Sequence, residues 1–262
     1  MLKFYRRIRQ RLLTENKFSK YLLYALGEII LVVIGILIAL SINNWNEERK
    51  ESLIEKNYLR RLLADLENDY KTLSFSKALS NERINQVNIL SNVIKNQLRS
   101  NENPTLIIES IEKVTWRSYL PLSKIVYNEL LNSGNMSLIR SEYLRNLLSN
   151  YYEDADHWEM ILNLEDAQKM FSHETAGLLS IEILTAIENS SSLRNSNPTN
   201  ELDIHLEELE FHRIVKELST KKEAIKWLPN IYHYHLLADK VITNLSANNE
   251  TIKKIVQAEL NK

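Results

Sequence analysis

His205, Glu208 and His212 stand three and four residues apart, so a helix would carry two imidazoles and a carboxylate on one face. That donor set suits a transition-metal ion. Asp154 and His157 form a second pair at helical spacing. A di-metal site in a helical protein asks for more, a Glu-x-x-His pair on each of two helices, and this chain does not provide it. His233 and His235 are two apart and point to different faces of a helix, which is poor geometry for a shared ligand. The histidines are therefore expected on exposed helix faces, with no metal and no cofactor. No glycine-rich phosphate loop, nucleophile elbow or His-Glu-x-x-His occurs, and with no cysteine the chain has no thiol nucleophile, zinc-thiolate cluster or disulfide. No enzyme is expected. The stretch YYEDADHW, residues 151–158, reads either as an aromatic and acidic recognition patch or as buried rings beside solvated acids.

The other residue with chemical potential is Glu28. It lies in a run from Tyr21 to Ile42 that is otherwise apolar except for Ser41. Twenty-two helical residues cover about 33 Å, enough for a hydrocarbon core of about 30 Å. Without Glu28 and the residues before it, 29–42 would cover only about 21 Å, so the carboxylate belongs inside the span. It can snorkel to the headgroups, take up a proton, or meet a partner helix. Gly27, Gly35 and Ala39 lie beside it at steps of eight and four, and small residues permit close helix contact. A structural role in self-association or in docking another membrane protein is the leading expectation, with proton transfer the sharper alternative. Ala39-Leu40-Ser41 resembles a signal-peptide cleavage site, but signal apolar regions run to about 15 residues at most.

The flanks of the run set its orientation. Before it, Lys3, Arg6, Arg7, Arg9, Arg11, Lys17 and Lys20 face the single acid Glu15; after it come Asn43, Asn44, Trp45, Asn46, Glu47 and Glu48. The positive-inside rule predicts a cytoplasmic N-terminus and residues 43–262 outside. Arg6, Arg7 and Arg9, with Tyr21 and Tyr24 at one interface and Trp45 at the other, are the expected interfacial anchors. Residues 1–20 read either as a basic amphipathic helix on an anionic leaflet or as a tail that only sets topology.

Beyond the span the chain reads as all-α. Two of its four glycines, Gly134 and Gly177, lie there, and strict apolar-polar alternation is scarce. A long stalk helix is predicted over 43–100. Its apolar seam runs through Leu59, Leu62, Leu66, Leu73, Ile84, Val87, Ile94 and Leu98, with gaps at Lys77, Ser80 and Ser91. The seam suits either a coiled coil between subunits or antiparallel packing within the chain. An antiparallel helical bundle is predicted over 101–262. Within it, Ser100–Thr105 reads as a loop, and Pro121 opens a helix that Gly134 stops. Ser141 caps a long helix to about Ile187, and 188–200 is a mobile loop. A further helix covers about 201–218, Thr220 and Glu223 form a capping box, and Pro229 kinks the last helix. After residue 42 there are 26 Lys and Arg against 32 Asp and Glu, without a basic patch, so no nucleic-acid partner is expected.

The run from Arg6 through LLTENKFSKYLLYALGEIILVVIGILIALSINNWNEE resembles the opening of a family of bacterial single-span envelope proteins classed as a domain of unknown function. YNELLNSGNMSLIRSEYLRNLLSNYY, residues 127–152, is similar to it more weakly. Leu26 and Ser41 depart from the isoleucine and glutamine expected there. The resemblance implies the bacterial inner membrane with a domain on its far side, and no activity. The expected function is thus a membrane-anchored interaction or scaffold protein, self-associating as a homo-oligomer, with an unidentified envelope protein as further partner. The alternatives are an accessory subunit of an ion-driven machine using Glu28, or a helical-bundle ligand sensor.

Topology is tested with cysteines placed at Lys3 or Lys262 and an impermeant thiol reagent on intact cells. Labelling is expected at position 262 alone; labelling at 3 and not at 262 would refute the orientation.

Overall fold

The computed structural model describes residues 18–96, 103–118, 120–164, 166–190 and 208–262. Among these, helix is the only regular secondary structure. The elements are α1 (Phe18–Asn96), α2 (Pro104–Lys113), α3 (Ile125–Asn132), a 3-10 turn (Asn135–Leu138), α4 (Glu142–Leu164), α5 (Ala167–Thr175), α6 (Ile181–Ser190), α7 (Glu208–Thr220), α8 (Lys222–Ile225) and α9 (Leu228–Leu260). The chain divides into two compact units, Met1–Asn57 and Tyr58–Lys262.

In the first unit, the part of α1 from Leu22 to Ile42 is apolar apart from Glu28 and Ser41 and exposed apart from the half-buried Ala25, and it is long and apolar enough to cross a membrane. Isolated side chains of this kind in water would forfeit about 1.5 to 3 kcal/mol each relative to burial, so an apolar surrounding is what this surface asks for.

The second unit holds two apolar cores. Leu59, Leu62, Leu66 and Leu73 of α1 enter the first, with Leu130 of α3, Leu144 and Leu148 of α4 and Ile242 and Leu245 of α9. Val87, Leu90 and Val93 enter the second, with Ile108 of α2, Phe171 of α5, Ile187 of α6, Ile214 of α7 and Ile231 of α9. Helices α1 and α9 run antiparallel. Leu66 O accepts from Asn249 Nδ2 at 3.0 Å, while fourteen residues further along α1 Ser80 Oγ donates to His235 O, fourteen residues back along α9, at 2.9 Å. Leu59, Leu62, Leu66, Leu73 and Val87 of the expected seam are therefore buried by the chain's own helices, Ile84 and Ile94 are half-buried, and Leu98 lies outside the described residues. Helix α4 packs on α9, α5 on α8 and α9, and α2 on α6.

Local rules hold at several boundaries. Gly134 takes φ 71° after α3, the left-handed stop that only glycine adopts without strain. Ser141 Oγ accepts from Leu144 N at 3.2 Å and opens α4. Five features differ from expectation. The loop predicted over 100–105 ends earlier, since Asn103 Oδ1 caps Thr105 N at 2.9 Å and Pro104 opens α2. The helix expected from Pro121 starts at Ile125, because the backbone N–H groups of Ser123 and Val126 are taken by Asp69 and Asp65 of α1. The single long helix expected from Ser141 to Ile187 is three, α4 to α6, with Gly177 at φ 80° between the last two. The Thr220–Glu223 box does not form: Thr220 Oγ1 donates back to Glu217 O at 2.7 Å, and Glu223 pairs with Lys226. Pro229 sits in the first turn of α9 and so begins that helix instead of kinking it. Helix α6 reaches Ser190, and the rest of the expected 188–200 loop lies outside the described residues, as do residues 201–207 of the expected helix.

Leu66 is fully buried where α1 meets α9, and Leu53 is exposed. Leu66→Ala should cost about 2 to 5 kcal/mol in urea unfolding, and Leu53→Ala less than about 0.5. Equal costs would contradict this packing.

Candidate functional site

Two places in the chain carry groups that sequence or packing sets apart. The first is the face of α1 holding Glu28. At about 100° per residue, Glu28, Gly35 and Ala39 fall within about 20° of one line, whereas Gly27 lies about 100° round from Glu28. The expected four-residue face is therefore a stripe of three with Gly27 at its flank. A Cβ added at Gly27 or Gly35 would meet nothing within 4 Å, so both leave open surface beside the helix. Tyr24 and Trp45 are exposed towards the two ends of the apolar run, and the Arg49 guanidinium lies 5.6 Å from the Trp45 ring centre. Tyr21 is helical. Arg6, Arg7 and Arg9 lie outside the described residues.

The second is a set of polar side chains buried in the unit that begins at Tyr58. Leu59, Leu62, Leu66, Asp69, Leu73, Ser76, Ser80, Arg83, Val87 and Leu90 follow alternating steps of three and four along α1, and each is buried. Asp69 and Arg83 thus occupy seam positions. Asp69 accepts from the Ser123 backbone N–H, from the Tyr151 hydroxyl at 3.3 Å and from the Tyr152 hydroxyl at 3.5 Å. Asn249 Nδ2 reaches the Tyr151 oxygen at 3.2 Å. Burial pushes the Asp69 carboxyl up to about 6, against the pull of these hydrogen bonds. The same burial, with the Asp69 charge beside them, raises both tyrosine hydroxyls above their usual range. Of the two readings of YYEDADHW, the buried one holds: the rings of Tyr151 and Tyr152 are inside, 4.9 Å apart, while Glu153, Asp154 and Asp156 are exposed.

His235 is the histidine that sequence reasoning missed. It was expected on an exposed face, but it is fully buried, and its Nε2 lies 3.3 Å from Val114 O while its Nδ1 has no partner. Its position in the α9 repeat with Ile231, Ala238 and Ile242, all buried, was the available signal. Burial holds it down to about 4, and so neutral at pH 7. Among the described residues no three histidine or carboxylate groups converge as a metal would need. Asp154 and His157 are exposed, His212 stands beside the Phe211 ring, and His205 lies outside the described residues.

The two buried groups respond to pH in opposite directions. Between the usual 3.8 and about 6 the folded protein keeps a proton on Asp69 that the unfolded chain has lost, so this contribution is full below pH 3.8 and is lost as pH rises through about 6. Between about 4 and the usual 6.5 the unfolded chain holds a proton that folded His235 refuses, so that contribution is full above 6.5 and is lost as pH falls through about 4. Each is worth on the order of 3 kcal/mol over its window, and together they offset. Urea unfolding from pH 7 to 4 should therefore show wild type gaining on Asp69→Asn and losing ground to His235→Gln. A constant offset for both variants would contradict these placements.

No curated protein and no solved structure matches the chain. One family, described as a family of unknown function (DUF6090), matches residues 28–205. That segment includes Glu28, Gly35, Ala39, the whole buried face of α1 and the 127–152 stretch, and it starts after most of the similar opening run. The chain belongs to this family of unknown function, DUF6090.

Proposed function

We propose that the protein is a non-catalytic interaction or scaffold protein of the bacterial envelope, held in the inner membrane by residues 21–42. In this reading the N-terminus is cytoplasmic, and the helices from Tyr58 onward form an antiparallel bundle in the periplasm. The span associates with a second copy, through Glu28, Gly35 and Ala39, and an envelope protein docks on the resulting assembly.

The observation that carries this reading is the apolar surface of α1 between Leu22 and Ile42, nearly all of it exposed among the described residues. Lipid satisfies most of such a surface but not a carboxylate. A charged or protonated acid in hydrocarbon costs on the order of 2 to 3 kcal/mol, and a hydrogen bond to another helix returns about 0.5 to 2. Gly35 and Ala39, in line with Glu28, let a second backbone come close enough to make that bond. The exposed flank at Gly27 contributes less, because it faces away from that line.

Self-association of the full chain in mild detergent, measured by sedimentation, tests the reading. Gly35→Leu should weaken it most, Glu28→Leu less, and Glu28→Gln least, because the amide keeps much of the hydrogen bonding. Gly27→Leu should fall below Gly35→Leu. If no substitution changes association, or if the wild type is monomeric at every concentration, the scaffold reading fails. Loss of a proton-linked activity in Glu28→Gln with association unchanged would replace it with the ion-machine reading.

A further inference from the structure

We infer that a cleft at Arg83, between the two apolar cores, binds a small organic monoanion: a carboxylate with an apolar or aromatic body. This goes beyond the scaffold reading and stands on different residues. The cleft has a volume of about 380 Å³ and is walled by Phe75, Leu79 and Arg83 of α1 and by Trp116, Arg117 and Ser118 of the segment after α2. That volume lies within the range of sites for small ligands, roughly 300 to 1,000 Å³.

The polar half of the site is incomplete in a specific way. Arg83 is 4% exposed, its Nε has no hydrogen-bond partner, and among the described residues no carboxylate lies within ion-pair distance of its guanidinium. Its sequence neighbour Glu82 turns to Lys113 at 3.9 Å and Gln86 at 3.0 Å. A buried carboxylate or lysine could shed its charge, but a guanidinium cannot, so this cation stays charged, attracted by Glu82 from beyond ion-pair distance and without an acid in direct contact. The Trp116 ring, 5.8 Å from its carbon, braces the group without neutralising it. The adjacent imidazole, His235, is neutral in the folded protein and supplies no negative charge.

Charge counting then selects the ligand. Arg117 is already matched, donating to Asn163 O at 2.8 Å and lying 4.0 Å from Asp166, so Arg83 is the one positive charge of the cleft wall without an ion pair in contact. One charge calls for a monoanion; a phosphate dianion would leave an excess. The planar fork of Arg83 suits two carboxylate oxygens, and Ser118 Oγ, beside the Tyr234 hydroxyl, lies on the same wall as a further polar group. The remaining wall, Phe75, Leu79 and the Trp116 ring, is apolar and takes the body of the molecule. Phe75 is exposed at the rim, which leaves the cleft open to entry.

The test uses the full chain in detergent, calorimetric titration with acetate, hexanoate, phenylacetate and indole-3-acetate, and thermal melting. Phenylacetate should bind saturably, and phenylacetamide, the neutral isostere, at least tenfold more weakly. Arg83→Gln should lose at least tenfold in phenylacetate affinity and, without ligand, melt above the wild type, because an unpaired buried charge is gone. A merely structural arginine would do the reverse and melt lower. If Arg83→Gln does not fold, Leu79→Trp carries the test: it fills the cleft, leaves Arg83 in place, and should abolish binding. The inference is overturned if no carboxylate in the series saturates, if the amide or inorganic phosphate binds as well as phenylacetate, or if the cleft-filling variant binds like wild type.

Discussion

One face of one helix has to be buried along its length, whatever residues fall on it. From Leu59 to Leu90 that face of α1 recurs every three or four residues, and a regular helix offers no way to bury Leu66 and Leu73 while turning Asp69 outward. The six leucine and valine positions of the stripe build the two cores; the polar ones are carried inside with them. Much of the domain's architecture consists of answers to that constraint. Backbone from 123 to 126 is drawn onto Asp65 and Asp69, Ser80 donates to a backbone oxygen of α9, and Asn249 of α9 reaches back to a backbone oxygen of α1. Buried polar groups that find partners cost little, and those that do not cost on the order of 1 to 3 kcal/mol each.

Asp69 and Arg83 solve the problem differently. The carboxylate gathers one backbone and two hydroxyl donors and still shifts towards its neutral form. The guanidinium has no neutral form within reach and no acid in direct contact, Glu82 acting on it only from a distance, so its burial leaves a charge incompletely matched at the wall of a cleft. A group that weakens the empty protein in this way is commonly retained for what it binds. In the proposed membrane setting the Glu28 stripe would pose a related problem, a polar group on an apolar helix in a medium that provides no donor.

Helical class, the apolar run and several boundaries were legible because they depend on local chemistry. Gly134 and Ser141 act through their own backbone geometry and side chain, within four residues. The start of α3 was not legible, since its first N–H groups are capped by Asp65 and Asp69 from more than fifty residues away. Ser80 was read as a gap in the seam. It is a seam position with a hydroxyl that has found a partner, and following the three-four rhythm through it leads directly to Asp69 and Arg83. His235 was hidden for the same reason: its buried neighbours in α9 are apolar, but the histidine itself looked like a surface residue. The run from Leu22 to Ile42 is long and apolar enough to cross a membrane, and that length was legible from composition alone.

Hydrogen exchange along α1, in the full chain held in lipid nanodiscs, addresses the central claim directly, because it reads the protection of each stretch separately. If one buried face runs unbroken through its polar members, amides from Tyr58 to Val93 exchange as a single slow unit, with those around Ser80 and Arg83 as protected as those around Leu66. Exchange orders of magnitude faster over 76–86 than over 59–73 would show that the polar positions open independently, and would contradict the claim.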